Sequence, residues 1–391
     1  MRSLLIFICS IGLLLAAPTK EDEKLDAQMN DALFGLSLTA LKEGNKPAVL
    51  SPFSVAMALA TVNDGAKDKT SQEITDVAFH GISKEKVASW FKAKLAVFKE
   101  DYSPLSVASA IYIQKTLNVL EGYITDVKDN FFSKIEKVDF AAEPQVQRKK
   151  INDFVNETTA GHIPELLKED HVKSQTRLIA VNALYQKSAF KSEFSKDSTA
   201  KKAFNNEDKS TKEIDTMTGT HKGRFFENDD FAYGDMPFND WGFHFFIIIP
   251  KSNSLASIKE KFIAKTQKFS GALGGAKGFM YLHVTVPKFN VSSELEFKDI
   301  LEKAGIKQVF ESAANLKGIS SEPLYVEYLI HKAVLELDEK GVTAAAASGI
   351  GIMPLSAQIC TEDCHRTIKA DRPFLFGVAH HGTPIFVGHY Y

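Results

Sequence analysis

ELDEKGVTAAAASGIGIMPLS, running from Glu336 to Ser356, joins compositions that seldom occur together. An acidic, polar lead-in, Asp338-Glu339-Lys340, ends at Gly341. Val342, Thr343, four alanines and Ser348 follow, then the alternation Gly349-Ile350-Gly351-Ile352 and the close Met353-Pro354-Leu355-Ser356. At period two, one face carries Val342, Ala344, Ala346, Ser348, Ile350 and Ile352, and the other Thr343, Ala345, Ala347, Gly349 and Gly351. A strand with that alternation buries its first face, and its small residues suit a slot between strands already in place. The four alanines are equally the strongest helix formers, and the glycines suit an exposed loop. One segment thus fits two states, an exposed loop and a buried strand.

The segment resembles the reactive loop of the serpins, whose hinge reads E-x-G-T-x-A-A-A-A and leads to a bait bond. Glu339, Gly341, Thr343, Ala344, Ala345, Ala346 and Ala347 fall on that pattern. Val342 stands where the family usually carries Thr or Ser, and it is still small and uncharged. Leu355 lies sixteen residues past Glu339, so the resemblance puts the reactive bond at Leu355-Ser356. Pro354 favours an extended backbone ahead of it. Leu355 suits the hydrophobic slot of a chymotrypsin-like protease. The stretch from Ser356 to Lys369 is long for such a loop, which leaves Met353 and Gln358-Ile359 as alternative bonds. The loop as a whole is taken as about 339–368.

Working outward, His331-Lys332-Ala333-Val334 precedes the hinge and resembles the family's H-K-A-V. Lys369 to Phe376 follows the loop and resembles K-A-D-x-P-F-x-F. Val286-Pro287-Lys288-Phe289 resembles x-P-K-F. Near the start, Ala48-Val49-Leu50 is a short apolar strand, Ser51 a good helix cap, and Pro52 sits at the first helical position. Ser51, Pro52, Ser54, Gly65, Ala66 and Thr70 match the S-P-x-S signature and the small-residue helix after it. In the family this helix lies under the main sheet where its strands part. Ser51, Ser54, Asn182, Phe190 and His331 are therefore the residues expected at the opening of the sheet. Asn182 lies in the apolar run Leu178–Tyr185, which predicts a buried central strand. Phe190 occupies a position where the family has Trp. Ile151-Asn152-x-Phe154-Val155 and Thr159, Gly161 and Ile163 carry a further family motif, with His162 in place of a lysine; alone, His162 reads as a surface or capping histidine.

Other elements follow from periodicity. Helices are predicted over Asp26–Leu41, Thr70–Val77, Lys84–Phe98, Ile124–Phe132, Leu255–Phe269 and Phe297–Ala304, and strands over Leu105–Ile113, Phe243–Pro250 and Tyr281–Phe289. Tyr325–Leu337 reads as a strand pair. Val378-Ala379 and Ile385–Val387 read as a closing hairpin, with His380, His381 and His389 as exposed strand-edge histidines. The glycine-rich Ser270–Gly278 lacks the order of a phosphate-binding loop and reads as a plain connection.

The 391 residues carry a net charge of −2, so no basic field points to nucleic acid or an acidic membrane. Hydrophobic content of 44% and charge of 25% are ordinary for a globular chain. Met1–Ala17 reads as a secretory signal, with Arg2 ahead of an apolar run too short to span a membrane. Its removal takes Cys9 and leaves Cys360 and Cys364, which read as a disulfide, as free or intermolecular thiols, or as a metal site with Glu362, Asp363 or His365. Asn156 and Asn290 head N-glycosylation sequons. Lysines on one face of Lys84–Phe98 suggest weak polyanion binding beside the simpler reading of a solvated face.

The resemblance covers nearly all of residues 18–391 and implies one α+β serpin domain of three β-sheets and about nine helices. It implies a secreted, monomeric, non-enzymatic suicide-substrate inhibitor of serine endopeptidases of chymotrypsin-like or elastase-like specificity, joined covalently to its target through Leu355. The alternative is a non-inhibitory carrier or chaperone of the same family. No cofactor and no metal is called for, and no nucleophile elbow supports an enzyme.

Overall fold

A computed structural model describes residues 18–42, 44–98, 103–252, 254–342 and 364–391. Met1–Ala17, Thr343 to Ala347, Leu355, Ser356 and Cys360, for which the sequence carries expectations, lie outside the described residues.

Helix α1 (Lys20–Ala40) begins six residues ahead of the predicted Asp26. A capping box fixes this start: the Thr19 hydroxyl accepts from the Asp22 N–H at 3.2 Å, and the Asp22 carboxylate accepts from the Thr19 N–H at 2.9 Å. The charged first turns carry no apolar period, so periodicity alone overlooks them. After β1 (Ala48–Leu50), α2 (Pro52–Gly65) runs almost wholly buried through the protein. The Ser51 hydroxyl caps it by accepting from the Ser54 N–H at 3.1 Å. Gly65 ends it under close contact, where a Cβ would come within 2.2 Å of Ile319. Next come α3 (Asp68–Ala78), α4 (Lys84–Phe98), β2 (Leu105–Gln114), α5 (Glu121–Phe131), β3 (Lys134–Val138) and α6 (Pro144–Thr158). The run β4 (Leu178–Gln186), β5 (Ser188–Ala189), β6 (Ala200–Asn205), β7 (Thr211–Glu227), β8 (Phe231–Pro237) and β9 (Phe243–Pro250) follows. Then come α7 (Leu255–Ile263), α8 (Phe269–Gly275), β10 (Lys277–Pro287), β11 (Phe289–Glu296), α9 (Phe297–Ala304), β12 (Ile330–Leu337), β13 (Gly341–Val342), β14 (His365–Lys369), β15 (Phe374–His380) and β16 (Thr383–Tyr390).

The described residues thus form nine α-helices and three sheets in an α+β arrangement, as expected. A nine-stranded sheet runs β1-β16-β15-β9-β8-β7-β10-β14, with β6 also pairing β7. A three-stranded sheet runs β3-β2-β4, and a four-stranded sheet runs β11-β12-β13-β5. The main apolar core lies among the helices and the nine-stranded sheet, and a smaller one packs α6 residues Ile151 and Val155 against β2 and β4.

Several local expectations are corrected. Ser270–Gly278 is not a plain connection: Phe269, buried against Phe34 at 4.3 Å between ring centres, anchors α8 there, and β10 starts at Lys277. The helix predicted over Leu255–Phe269 breaks at Ala264–Lys268, where Lys265 takes a φ of +60°. Tyr325–Leu337 yields one strand, β12, not two. His380 and His389 are buried, at 3% and 1% exposure, because β15 and β16 are interior strands rather than edges.

Candidate functional site: a seam and its hinge

The three- and four-stranded sheets meet edge to edge. Strands β4 and β12 approach within 8 Å between Cα atoms, yet among the described residues no ladder joins them. At the head of this seam β13 fills the space between the two sides. Val342 pairs Leu337 of β12 on one side, and Gly341 and Val342 pair Ala189 and Ser188 of β5 on the other, both antiparallel. Since β5 directly continues β4, the chain between Asp338 and Val342 has folded back into the top of the gap. Val342 is 1% exposed, so the face predicted to bury does so in the part described.

The turn into β13 is built by its own residues. Asp338 and Gly341 exchange backbone hydrogen bonds of 3.0 and 3.3 Å. The Asp338 carboxylate accepts from the Lys340 and Gly341 N–H groups at 2.8 and 3.1 Å. Gly341 sits at φ +150°, and a Cβ there would lie 2.2 Å from the Ser188 carbonyl oxygen. Only glycine permits this approach.

Glu339 locks the outer side. Its carbonyl accepts from the Phe194 N–H at 2.8 Å, and the Lys340 carbonyl accepts from the Phe190 N–H at 2.7 Å. Its carboxylate accepts from Thr199 Oγ1 and Lys288 Nζ, each at 2.9 Å. Burial alone would raise the Glu339 carboxyl, but the bonds from Lys288 and Thr199 hold it below the usual carboxylate range. Phe190 is buried and packs its ring against Phe238 and Phe194, at 5.1 and 5.7 Å between centres.

Lower in the seam, the α2 N-terminus binds both sides. Ser54 Oγ donates to Asn182 Oδ1 of β4 at 2.6 Å, and the Ser51 N–H donates to His331 Nε2 of β12 at 2.9 Å. That bond leaves the His331 proton on Nδ1, and burial lowers its pKa to about 3. Among the described residues Asn182 Nδ2 has no partner although it is buried. Ser51, Ser54, Asn182 and His331 are thus brought together, with Phe190 at the head of the same seam.

Sequence reasoning missed Asp338, Phe194, Thr199 and Lys288 as hinge partners. Lys288 was within reach, because it belongs to the quoted Val286–Phe289 motif. Asp338, two residues before a polar-Gly turn, carries an Asx-turn signal. Nothing local marks Thr199 or Phe194.

Elsewhere, His162 is exposed and stacks on Tyr185 at 4.4 Å between centres. Asn290 is exposed on β11, whereas Asn156 is half-buried in α6 with its Oδ1 enclosed and, among the described residues, unpaired. Cys364 is disulfide-bonded. Three α4 lysines are engaged: Lys84 on the Asp64 and Ala66 carbonyls, Lys86 on Glu21 and Lys94 on Asp26. Among the described residues no group of three His, Cys, Asp or Glu side chains could hold a metal, and no helix is long and apolar enough to cross a membrane.

Residues 30–391 match the family model described as Serpin (serine protease inhibitor). The chain is 32% identical over 404 residues to Iripin-2 of Ixodes ricinus, covering 99% of this chain and 98% of that protein. It is 31% identical over 373 residues to leukocyte elastase inhibitor A of Mus musculus, covering 92% and 97%. Its structure resembles that of Serpin48 of the insect Tenebrio molitor, with a TM-score of 0.80, 26% identity and coverage of 95% and 99%.

Proposed function

The chain belongs to the serpin family, and from that premise we propose that it is a secreted suicide-substrate inhibitor of serine endopeptidases of chymotrypsin-like or elastase-like specificity. The observation that carries the reading is the seating of Gly341 and Val342 between β12 and β5 at the head of a seam that no ladder joins among the described residues.

In this reading the protease attacks Leu355-Ser356. Its serine oxygen bonds the Leu355 carbonyl carbon, the peptide C–N bond breaks, and Ser356 leaves as a free amine after receiving the serine's proton through the protease's base. The acyl bond joins Leu355 to the enzyme. The severed segment then continues the path β13 has begun, parting β4 from β12. Val342 to Ile352 spans roughly 36 Å at about 3.3 Å per residue. Each new ladder hydrogen bond contributes about 0.5–1.5 kcal/mol, and burial of Ile350 and Ile352 about 1.5–3 kcal/mol each. Asn182 Nδ2 is a buried donor at the strand edge that an entering carbonyl would satisfy.

Secretion is supported by the composition of Met1–Ala17 and by the oxidised state of Cys364. We assign Cys360 as its partner, closing a small loop on the leaving side of the bond. Asn290 is the sequon whose exposure suits glycosylation. The inhibitor acts as a monomer.

The test is incubation of the secreted protein with chymotrypsin-like and elastase-like proteases, followed by denaturing electrophoresis. A complex that survives denaturation and vanishes on Leu355→Asp substitution is expected, and protein nicked at Leu355 should melt far above the intact form. Clean cleavage without a stable complex, at an unchanged melting temperature, would instead support a carrier or chaperone.

A further inference from the structure

We propose that His283 and His365 form a binding site for a divalent transition-metal ion of the zinc class, clipping β14 to β10. His283 Nε2 lies 3.0 Å from His365 Nδ1. Their ring centres are 5.2 Å apart and their planes differ by 15°, so the rings lie nearly coplanar and meet nitrogen to nitrogen. His283 Nδ1 is 2.9 Å from Thr220 Oγ1 on β7, opposite His283 in the ladder. A proton on Nδ1 donated to that hydroxyl leaves the Nε2 lone pair facing His365. This is how a metal-binding histidine is usually oriented by a second partner. Tyr281 of β10 stacks on the His365 ring at 5.3 Å and fixes its position across the ladder.

Two imidazole nitrogens bound to one tetrahedral ion stand about 3.3 Å apart. Both side chains are exposed, so the nitrogens can widen from 3.0 Å to that spacing and turn toward a common ion. Without metal, His365 Nδ1 carries the proton shared with His283. With metal, that proton moves through solvent to Nε2 and both facing lone pairs bind the ion, with water completing the shell. Imidazole pairs favour zinc, copper and nickel over magnesium or calcium.

The site bears on function because β14 is the first described strand after the reactive segment. It ends the nine-stranded sheet, paired through Tyr281–Thr285 of β10 alone among the described residues. An ion held by one residue from each strand ties the leaving side of the segment to the body of the protein.

The test uses the full chain. Zinc chloride titrated calorimetrically at pH 7.5 should show one ion per chain, with affinity at least tenfold weaker in His283→Gln and in His365→Gln. The His381→Gln change at a distant exposed histidine should leave affinity unaltered. Zinc should slow amide exchange across residues 365–369 in the parent protein and in neither site variant. Undiminished affinity in both site variants, absence of saturable binding, or unchanged exchange in β14 would each overturn the proposal.

Discussion

Lys288 Nζ stands 2.9 Å from Glu339 Oε2 across the mouth of the seam, and the Glu339 side chain is only 7% exposed. The pair joins the residue just before β11 to the turn that leads into β13, so the hinge is tied down on the side from which the reactive segment would enter. Truncating Lys288 to Ala leaves a buried carboxylate with Thr199 as its remaining side-chain partner. Intact protein should lose about 1–3 kcal/mol of stability, read as a lower midpoint in chemical denaturation at pH 7. The sign with pH follows from the lowered Glu339 carboxyl. Its contribution is complete above the ordinary carboxylate pKa and is lost as pH falls below it. The variant's deficit should therefore shrink in acid.

Gly341→Ala tests the seat of β13 itself. The added methyl would lie 2.2 Å from the Ser188 carbonyl oxygen, 2.9 Å from Ala189 Cα and 3.0 Å from the Phe190 nitrogen. All three are backbone atoms that cannot swing away. The hinge should be expelled from the head of the seam, and the variant should be cut as a substrate more often than it is trapped. The ratio of cleaved to complexed product on a denaturing gel measures this, and an unchanged ratio would contradict the role given to β13.

His331 couples the seam to pH. Burial holds it neutral with a pKa of about 3, against an ordinary value of 6.5. A base whose folded pKa is depressed binds protons more readily when unfolded. Its contribution is therefore full above pH 6.5 and declines as pH falls toward 3. From pH 7 to 5 this one residue should remove about 2 kcal/mol. A flatter acid limb in thermal melts of His331→Gln is expected, at the cost of lower stability at pH 7.

Lys259 follows the same sign in alkali. It is 1% exposed and donates to the Leu41 carbonyl at 2.9 Å and Tyr391 hydroxyl at 3.1 Å, with His389 Nδ1 at 2.6 Å. Burial pulls its pKa down to about 8. The folded state therefore disfavours the charged amine below pH 8, and stability should rise between pH 8 and 10.5 as the unfolded chain alone still binds the proton. Lys259→Met should abolish that rise in denaturation midpoints measured from pH 7.5 to 10.

Much of the architecture was legible because its signals are local. The Ser51-Pro52 cap placed α2, the apolar run Leu178–Tyr185 placed β4, and Gly305 closed α9 at φ +112°. The histidines at 380 and 389 misled because burial depends on where a hairpin enters a sheet, and strands on both sides of β15 and β16 come from elsewhere in the chain. The glycine-rich segment misled because Phe269 gains a stacking partner from α1, more than two hundred residues earlier.

By itself the sequence determined the capped helix beneath the seam and the strands that flank it, and marked Gly341 and Val342 at its head, since each is written in patterns a few residues long. Only the tertiary structure decided that Lys288 and Thr199 hold Glu339, that Gly341 faces a carbonyl oxygen, that β4 and β12 run side by side with no ladder between them among the described residues, and that His283 meets His365. Those contacts join positions 51 to 153 residues apart, where no short-range pattern constrains the pairing and the packing of whole sheets sets it.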